Sequence, residues 1–173
     1  MNRSPEFDEA ISRLRGVKGQ LSTNEDFKGV VGAKDEVLGR FQPIFKRDRL
    51  PQLTDEKFIP LLYIKNNRHW SGLHRHLPKI RANMPKLREM LVELLDESIP
   101  IEKRFKDAVE AVPGIGKAIV TAILQIVFPE EYGVWNNTSE EGLKALKIWP
   151  KFDHGESIGS KYIKIKLRAA TPP

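Results

Sequence analysis

The sequence predicts an all-α fold in a single compact helical domain spanning residues 1–173. Two observations carry that prediction: apolar residues recur at helical spacing in stripe after stripe, and short Pro/Gly segments separate the stripes. A third supports it, because only Tyr162–Leu167 alternates with period two, too little for a sheet. Ser4-Pro5 offers an N-cap and a proline at the first helical position, opening a helix that reaches Arg15. Residues 16–32 hold Gly16, Gly19, Gly29 and Gly32 with little periodicity and read as a loop. Val37, Leu38, Phe41, Ile44 and Phe45 make a second helix that continues through Pro43. Thr54 caps a first turn carrying Asp55 and Glu56 and leads into Phe58–Ile64, with Pro60 early in that helix. Leu87, Met90, Leu91, Leu94 and Leu95 form the clearest stripe. Phe105, Ala108, Val109 and Val112 form the next, and Ile119, Val120, Ile123, Leu124 and Val127 another. Thr138 and Glu141 have capping-box spacing and open a helix through Lys147.

Composition narrows the function. Hydrophobic residues make up 40% and charged residues 30%, the balance of a globular chain. The absence of cysteine excludes disulfides, thiolate zinc sites, Cys-ligated clusters and a Cys nucleophile. The longest apolar stretch, Ala118–Phe128, is interrupted by Thr121 and Gln125 and is about half the length a bilayer crossing needs. The first residues contain no apolar leader, so a cytoplasmic protein with no membrane partner is expected.

Twenty-nine basic residues against 23 acidic ones give a net charge of +6, which suits a polyanionic partner. The excess is concentrated. Between Lys65 and Arg88 stand Lys65, Arg68, Arg75, Lys79, Arg81, Lys86 and Arg88, without one Asp or Glu. His69, Trp70, His74 and His76 are interleaved with them, a mixture suited to backbone contact and base stacking. His74 and His76 have no nearby carboxylate in sequence, so neither a metal site nor a cofactor is expected. A second basic run, Lys161, Lys164, Lys166 and Arg168, closes the chain, and Lys46, Arg47 and Arg49 form a smaller group.

One motif carries chemistry. Val112-Pro113-Gly114-Ile115-Gly116-Lys117 joins two helical stripes, and its glycines allow a tight turn with bare N–H groups at a helix start, an arrangement suited to phosphate. Helix, Pro-Gly-Ile-Gly-Lys hairpin and apolar helix, at about 105–128, resemble the helix-hairpin-helix element of the DNA glycosylases related to endonuclease III. The resemblance runs on through Phe128-Pro129 to Tyr132-Gly133-Val134-Trp135-Asn136 and includes Phe58–Asn67, which is similar to the family helix reaching the target base. Residues 65–88 and 137–150 resemble more closely a modification-dependent, phage-restriction branch in which such domains stand alone or are fused to restriction ATPases.

The resemblance implies roles. Pro113, Gly114, Ile115, Gly116 and Lys117, with Lys65, Arg68 and Arg75, would hold the DNA backbone, and Asn66, Asn67, His69, Trp70 and Trp135 would intrude or line the base pocket. The family's catalytic aspartate falls at Asn136, with Asp153, Glu140 and Glu141 as further acids; the lyase lysine would fall at Ala118, beside Lys117. A monofunctional glycosylase follows, flipping a modified cytosine out of phage duplex DNA and leaving an abasic site. Asn136 lacks the negative charge that would offset an oxocarbenium-like sugar. The other expectation is therefore a catalytically inactive reader of the modified base, working with a restriction ATPase or nuclease.

Overall fold

The computed structural model describes residues 5–21, 23–67 and 73–169. All regular elements among them are helical: α1 Pro5–Gln20, α2 Glu25–Phe41, α3 Asp55–Phe58, α4 Ile64–Asn67, α5 Leu77–Arg81, α6 Met84–Leu94, α7 Ile101–Ala111, α8 Lys117–Val127, α9 Asn137–Ala145 and α10 Ile158–Ala169. Single 3-10 turns at Gln42–Phe45, Leu50–Gln52, Ile59–Leu62 and Leu73–His76 join them. No helix is long and apolar enough to cross a membrane.

The predicted stripes become the core. Leu87, Met90, Leu91 and Leu94 of α6, Phe105 and Ala108 of α7, and Ile119, Val120, Ile123 and Leu124 of α8 are buried together. Helix α7 lies between α6 and α10. Its contact with α10 is close: a Cβ on Gly159 would run into the Glu102 carbonyl, so only glycine fits there. Arg104 is buried in the same layer, donating to the Leu94 carbonyl at 2.8 Å and to the Tyr132 hydroxyl at 2.6 Å. Its guanidinium therefore ties the end of α6 to the segment after α8, while its Nε is buried with no hydrogen-bond partner among the described residues. Helix α1 stands apart, with Phe7, Ala10, Ile11 and Leu14 covering Leu143, Leu146 and Ile148 in a satellite cluster.

Three local expectations are corrected, and the one alternating stretch proves helical. Residues 16–32 fall largely in α1 and α2 rather than in a loop. Their glycines weaken the helices by about 1 kcal/mol each, but the buried faces around Ile11 and Val37 decide the outcome. Helix α2 stops at Phe41, because Pro43 lacks the N–H an α-helix needs and the chain tightens into a 3-10 turn. Pro60 divides the Phe58–Ile64 segment in the same way. Tyr162–Leu167 is helical: Tyr162 and Ile165, three apart, are buried while Leu167 is exposed.

Candidate nucleic-acid interface

Helix α7 ends at Ala111, and Val112–Gly116 turns the chain into α8. Val112 and Ile115 are buried and anchor the turn to the core, and the Ile115 N–H closes it on the Val112 carbonyl at 3.0 Å. Pro113 is exposed. Gly114 has φ +95°, a conformation that strains any residue with a Cβ. That Cβ would also lie 2.6 Å from His76 Cβ. The turn is thus pressed against the histidine-rich segment. Gly116 differs: it is extended, with φ −110° and ψ −178°, and a Cβ there meets nothing within 4 Å. Neither backbone nor packing requires a glycine at 116.

His76 belongs to the acid-free window. Lys65, Arg75, Lys79 and Lys86 are exposed, and Lys65, Lys79 and Lys86 have no carboxylate partner among the described residues. Arg81 pairs with Asp55 at 2.7 Å, and Arg88 donates to the Leu53 carbonyl at 2.7 Å, so these two serve the fold. Arg68, His69 and Trp70 lie outside the described residues. Asn66 and Asn67, expected to intrude or contact a base, are turned inward. Asn66 donates to the Pro60 carbonyl at 2.9 Å and accepts from Arg40 at 3.1 Å. Asn67 is fully buried and donates to the Leu61 carbonyl at 2.7 Å. The exposed groups here are Tyr63 and Ile64, 37% and 54% accessible, with Tyr63 stacked on His74 at 5.6 Å. The sequence carried a signal for them: Leu61 to Ile64 are four consecutive apolar-bodied residues, and one buried helical face cannot take all four.

A polar cluster closes the other side of the Val112–Gly116 turn. Lys117 Nζ donates to Glu140 Oε1, which also accepts from the Trp135 indole at 2.8 Å, and Lys144 lies 3.7 Å from Oε2. The Lys117 ammonium sits 4.3 Å from the Trp135 ring centre. Partial burial alone would raise the Glu140 pKa, but the hydrogen bonds from Lys117 and Trp135 hold it below the usual carboxylate range. Trp135, expected at the base pocket, is a core residue only 5% exposed. It is stacked with Phe105 and Tyr162, and its backbone N–H is fixed by Thr121 at 2.9 Å.

Asn136 follows immediately and is the N-cap of α9. Its Oδ1 accepts from the Ser139 N–H at 2.9 Å, while its own N–H donates to Ser139 Oγ at 3.0 Å. The capping box is therefore Asn136–Ser139, two residues before the expected Thr138–Glu141 box, since Asn136 is the residue in the extended conformation a cap requires. The Asn136 Nδ2 has no hydrogen-bond partner among the described residues. Asp153 is 88% exposed and pairs with Lys164 at 2.9 Å; no hydrogen bond or ion pair joins it to Asn136. Among the described residues, no group of three or more His, Asp or Glu could hold a metal ion. No protein-family model matches the chain, and no curated protein or solved structure does either.

Proposed function

We propose that this chain binds duplex DNA with the Val112–Lys117 hairpin and the basic segment beside it, and that it reads a modified base there rather than excising it. One observation carries the DNA-binding part: Gly114 packs on His76, so two features separately suited to a polyanion lie side by side. Gly116 adds support, because a glycine that the protein itself does not need leaves bare backbone open to a phosphate. The Lys117 ammonium, committed to Glu140 and the Trp135 face, is a poor amine nucleophile, which speaks against a Schiff-base lyase. The Asn136 oxygen serves the Ser139 N–H, while its Nδ2 donor remains free to meet a base acceptor. Such a reader would hand the modified DNA, a modified cytosine by the resemblance, to a separate restriction ATPase or nuclease. The second reading is a monofunctional glycosylase. It is favoured by the ionised Glu140 carboxylate, one turn along α9 from Asn136.

Duplexes carrying different modified bases, incubated with the protein and then treated with alkali, separate the two. Shifted mobility without breakage on any substrate supports the reader; breakage only after alkali supports excision. Gly116→Val tests the hairpin itself. The backbone at 116 accepts valine without strain, so the fold survives and DNA affinity falls. Full affinity in a folded Gly116→Val protein refutes the hairpin as a phosphate clamp.

A further inference from the structure

Lys147 is the one residue other than glycine with positive φ among the described residues, at 58°. It stands just past the end of α9, where the Ile148 N–H returns to the Leu143 carbonyl at 3.0 Å and the Lys147 N–H to the Lys144 carbonyl at 2.9 Å. This is the helix-ending turn in which glycine is favoured, because a Cβ in the left-handed region costs about 1 kcal/mol. The Lys147 side chain returns nothing visible to the fold. It is exposed and has no ion-pair or hydrogen-bond partner among the described residues. Glu9, across the shallow groove between α1 and α9 that Lys147 borders, is already paired with Arg13 at 2.6 Å. Strain kept at a surface position points to a use for the side chain outside the fold.

The neighbours suggest that use. From the hairpin, Lys117 meets Glu140, Glu140 meets Lys144, and Lys144 lies 5.3 Å over the Trp149 ring. Lys147 and Lys151, both exposed, follow them in the chain. Helix α9 ends at Ala145, so its five helical steps from Glu140 advance about 7.5 Å, or about two base pairs of duplex, and Lys147 lies past them. Glu140 is already neutralised within the series, and Glu141 is the exposed acid on the same helix.

We infer that Lys147 and Lys151 form a second arm that contacts the DNA backbone beyond the hairpin. The inference rests on the DNA-binding reading above. Lys147→Gly is its test, since the substitution removes the side chain and relieves the backbone together. The expected result in the full chain is a melting temperature unchanged or raised. Affinity for a long duplex should fall several-fold, and the slope of log affinity against log salt should lose about 0.9. The difference from the unsubstituted protein should vanish on duplexes too short to reach the arm. Unchanged affinity and slope overturn the arm, as does a lowered melting temperature, which would make Lys147 a support of the fold. If Gly116→Val weakens binding and Lys147→Gly does not, the arm alone is wrong; if the unsubstituted protein binds no duplex at low salt, the DNA-binding reading falls with it.

Discussion

The two basic runs look alike in sequence and end up differently. In α10, Lys164 is held by Asp153 and Glu156 at 2.9 Å each, and Lys166 lies 3.6 Å from Glu131 and over the Tyr132 ring. Lys161 sits over Phe152. These cations fasten the last helix to the loop before it and to the segment after α8. In the 65–88 window Arg81 pairs with Asp55, while Lys65, Lys79 and Lys86 have no carboxylate partner among the described residues. A count of charges in a window therefore says little until the fold shows which acids arrive from elsewhere. Only unpaired cations are available to release counterions from DNA.

The largest expected effect breaks the first region mechanically. Gly114→Val imposes left-handed strain and drives a side chain into His76, so the Val112–Gly116 turn and the basic segment must part. Stability should fall by about 2 kcal/mol or more, and DNA binding should be lost with it. Thermal melting and mobility shift measure the two. A Gly114→Val protein that melts normally would show that the contact with His76 is not tight.

Charge removal sharpens the comparison. Replacing Lys65, Lys79 and Lys86 together by Ala should lower the salt slope of DNA binding by about 2.7, three phosphate contacts at about 0.9 each. The same treatment of Lys161, Lys164 and Lys166 should leave the slope unchanged and lower the melting temperature instead. Equal slopes for the two triple variants would erase the distinction between the runs.

Acid separates the regions next. The folded pKa of Glu156 is lowered by the hydrogen bond from Lys164, and that of Glu140 by those from Lys117 and Trp135 against the opposing effect of burial. A depressed carboxylate stabilises the fold above its unfolded value, here about 4.5, and the contribution disappears as pH falls through the folded value. Glu156→Gln should flatten the loss of melting temperature below that pH and leave DNA affinity alone. Glu140→Gln should flatten it too, but should also free Lys117 and strengthen DNA binding. If Glu140→Gln leaves affinity unchanged, Lys117 does not face the phosphates.

These regions also show what was legible in the sequence. Stripes such as Leu87–Leu94 and Ile119–Leu124 announced their helices, because a buried face needs the same spacing wherever it packs. The α1–α2 region was not legible. Its glycines argued locally for a loop, whereas α1 is held by a cluster with Leu143, Leu146 and Ile148 more than a hundred residues away and α2 by Val37 and Phe41 in the main core. At the candidate site, the Gly114 turn and its histidine-rich neighbours could each be read as polyanion-binding features, but their contact could not. The inward turn of Asn67 to Leu61 and the burial of Trp135 depend on partners that local spacing does not specify. Nor does any local pattern distinguish Lys164, which meets two acids, from Lys79, which meets none among the described residues.

The smallest expected change in stability falls on Asn136, and it tests the choice between reading and excision. Aspartate caps a helix about as well as asparagine, so Asn136→Asp should keep the bond from Ser139 and melt within a few tenths of a kcal/mol of the original. Asn136→Ala loses the cap and should cost about 1 kcal/mol. Those values hold whatever the site does; affinity and chemistry supply the discrimination. In a reader the free Nδ2 meets the base, so Asn136→Asp sets an acceptor against an acceptor and weakens modified-base binding about as much as Ala does. In a glycosylase the added negative charge lies where the sugar becomes positive, so Asn136→Asp keeps or raises alkali-sensitive cleavage while Ala abolishes it. If both variants bind modified and unmodified duplexes as the original does and neither changes cleavage, Asn136 is a helix cap alone. The base contact would then have to come from elsewhere on the face, with the exposed Tyr63–Ile64 pair the first place to look.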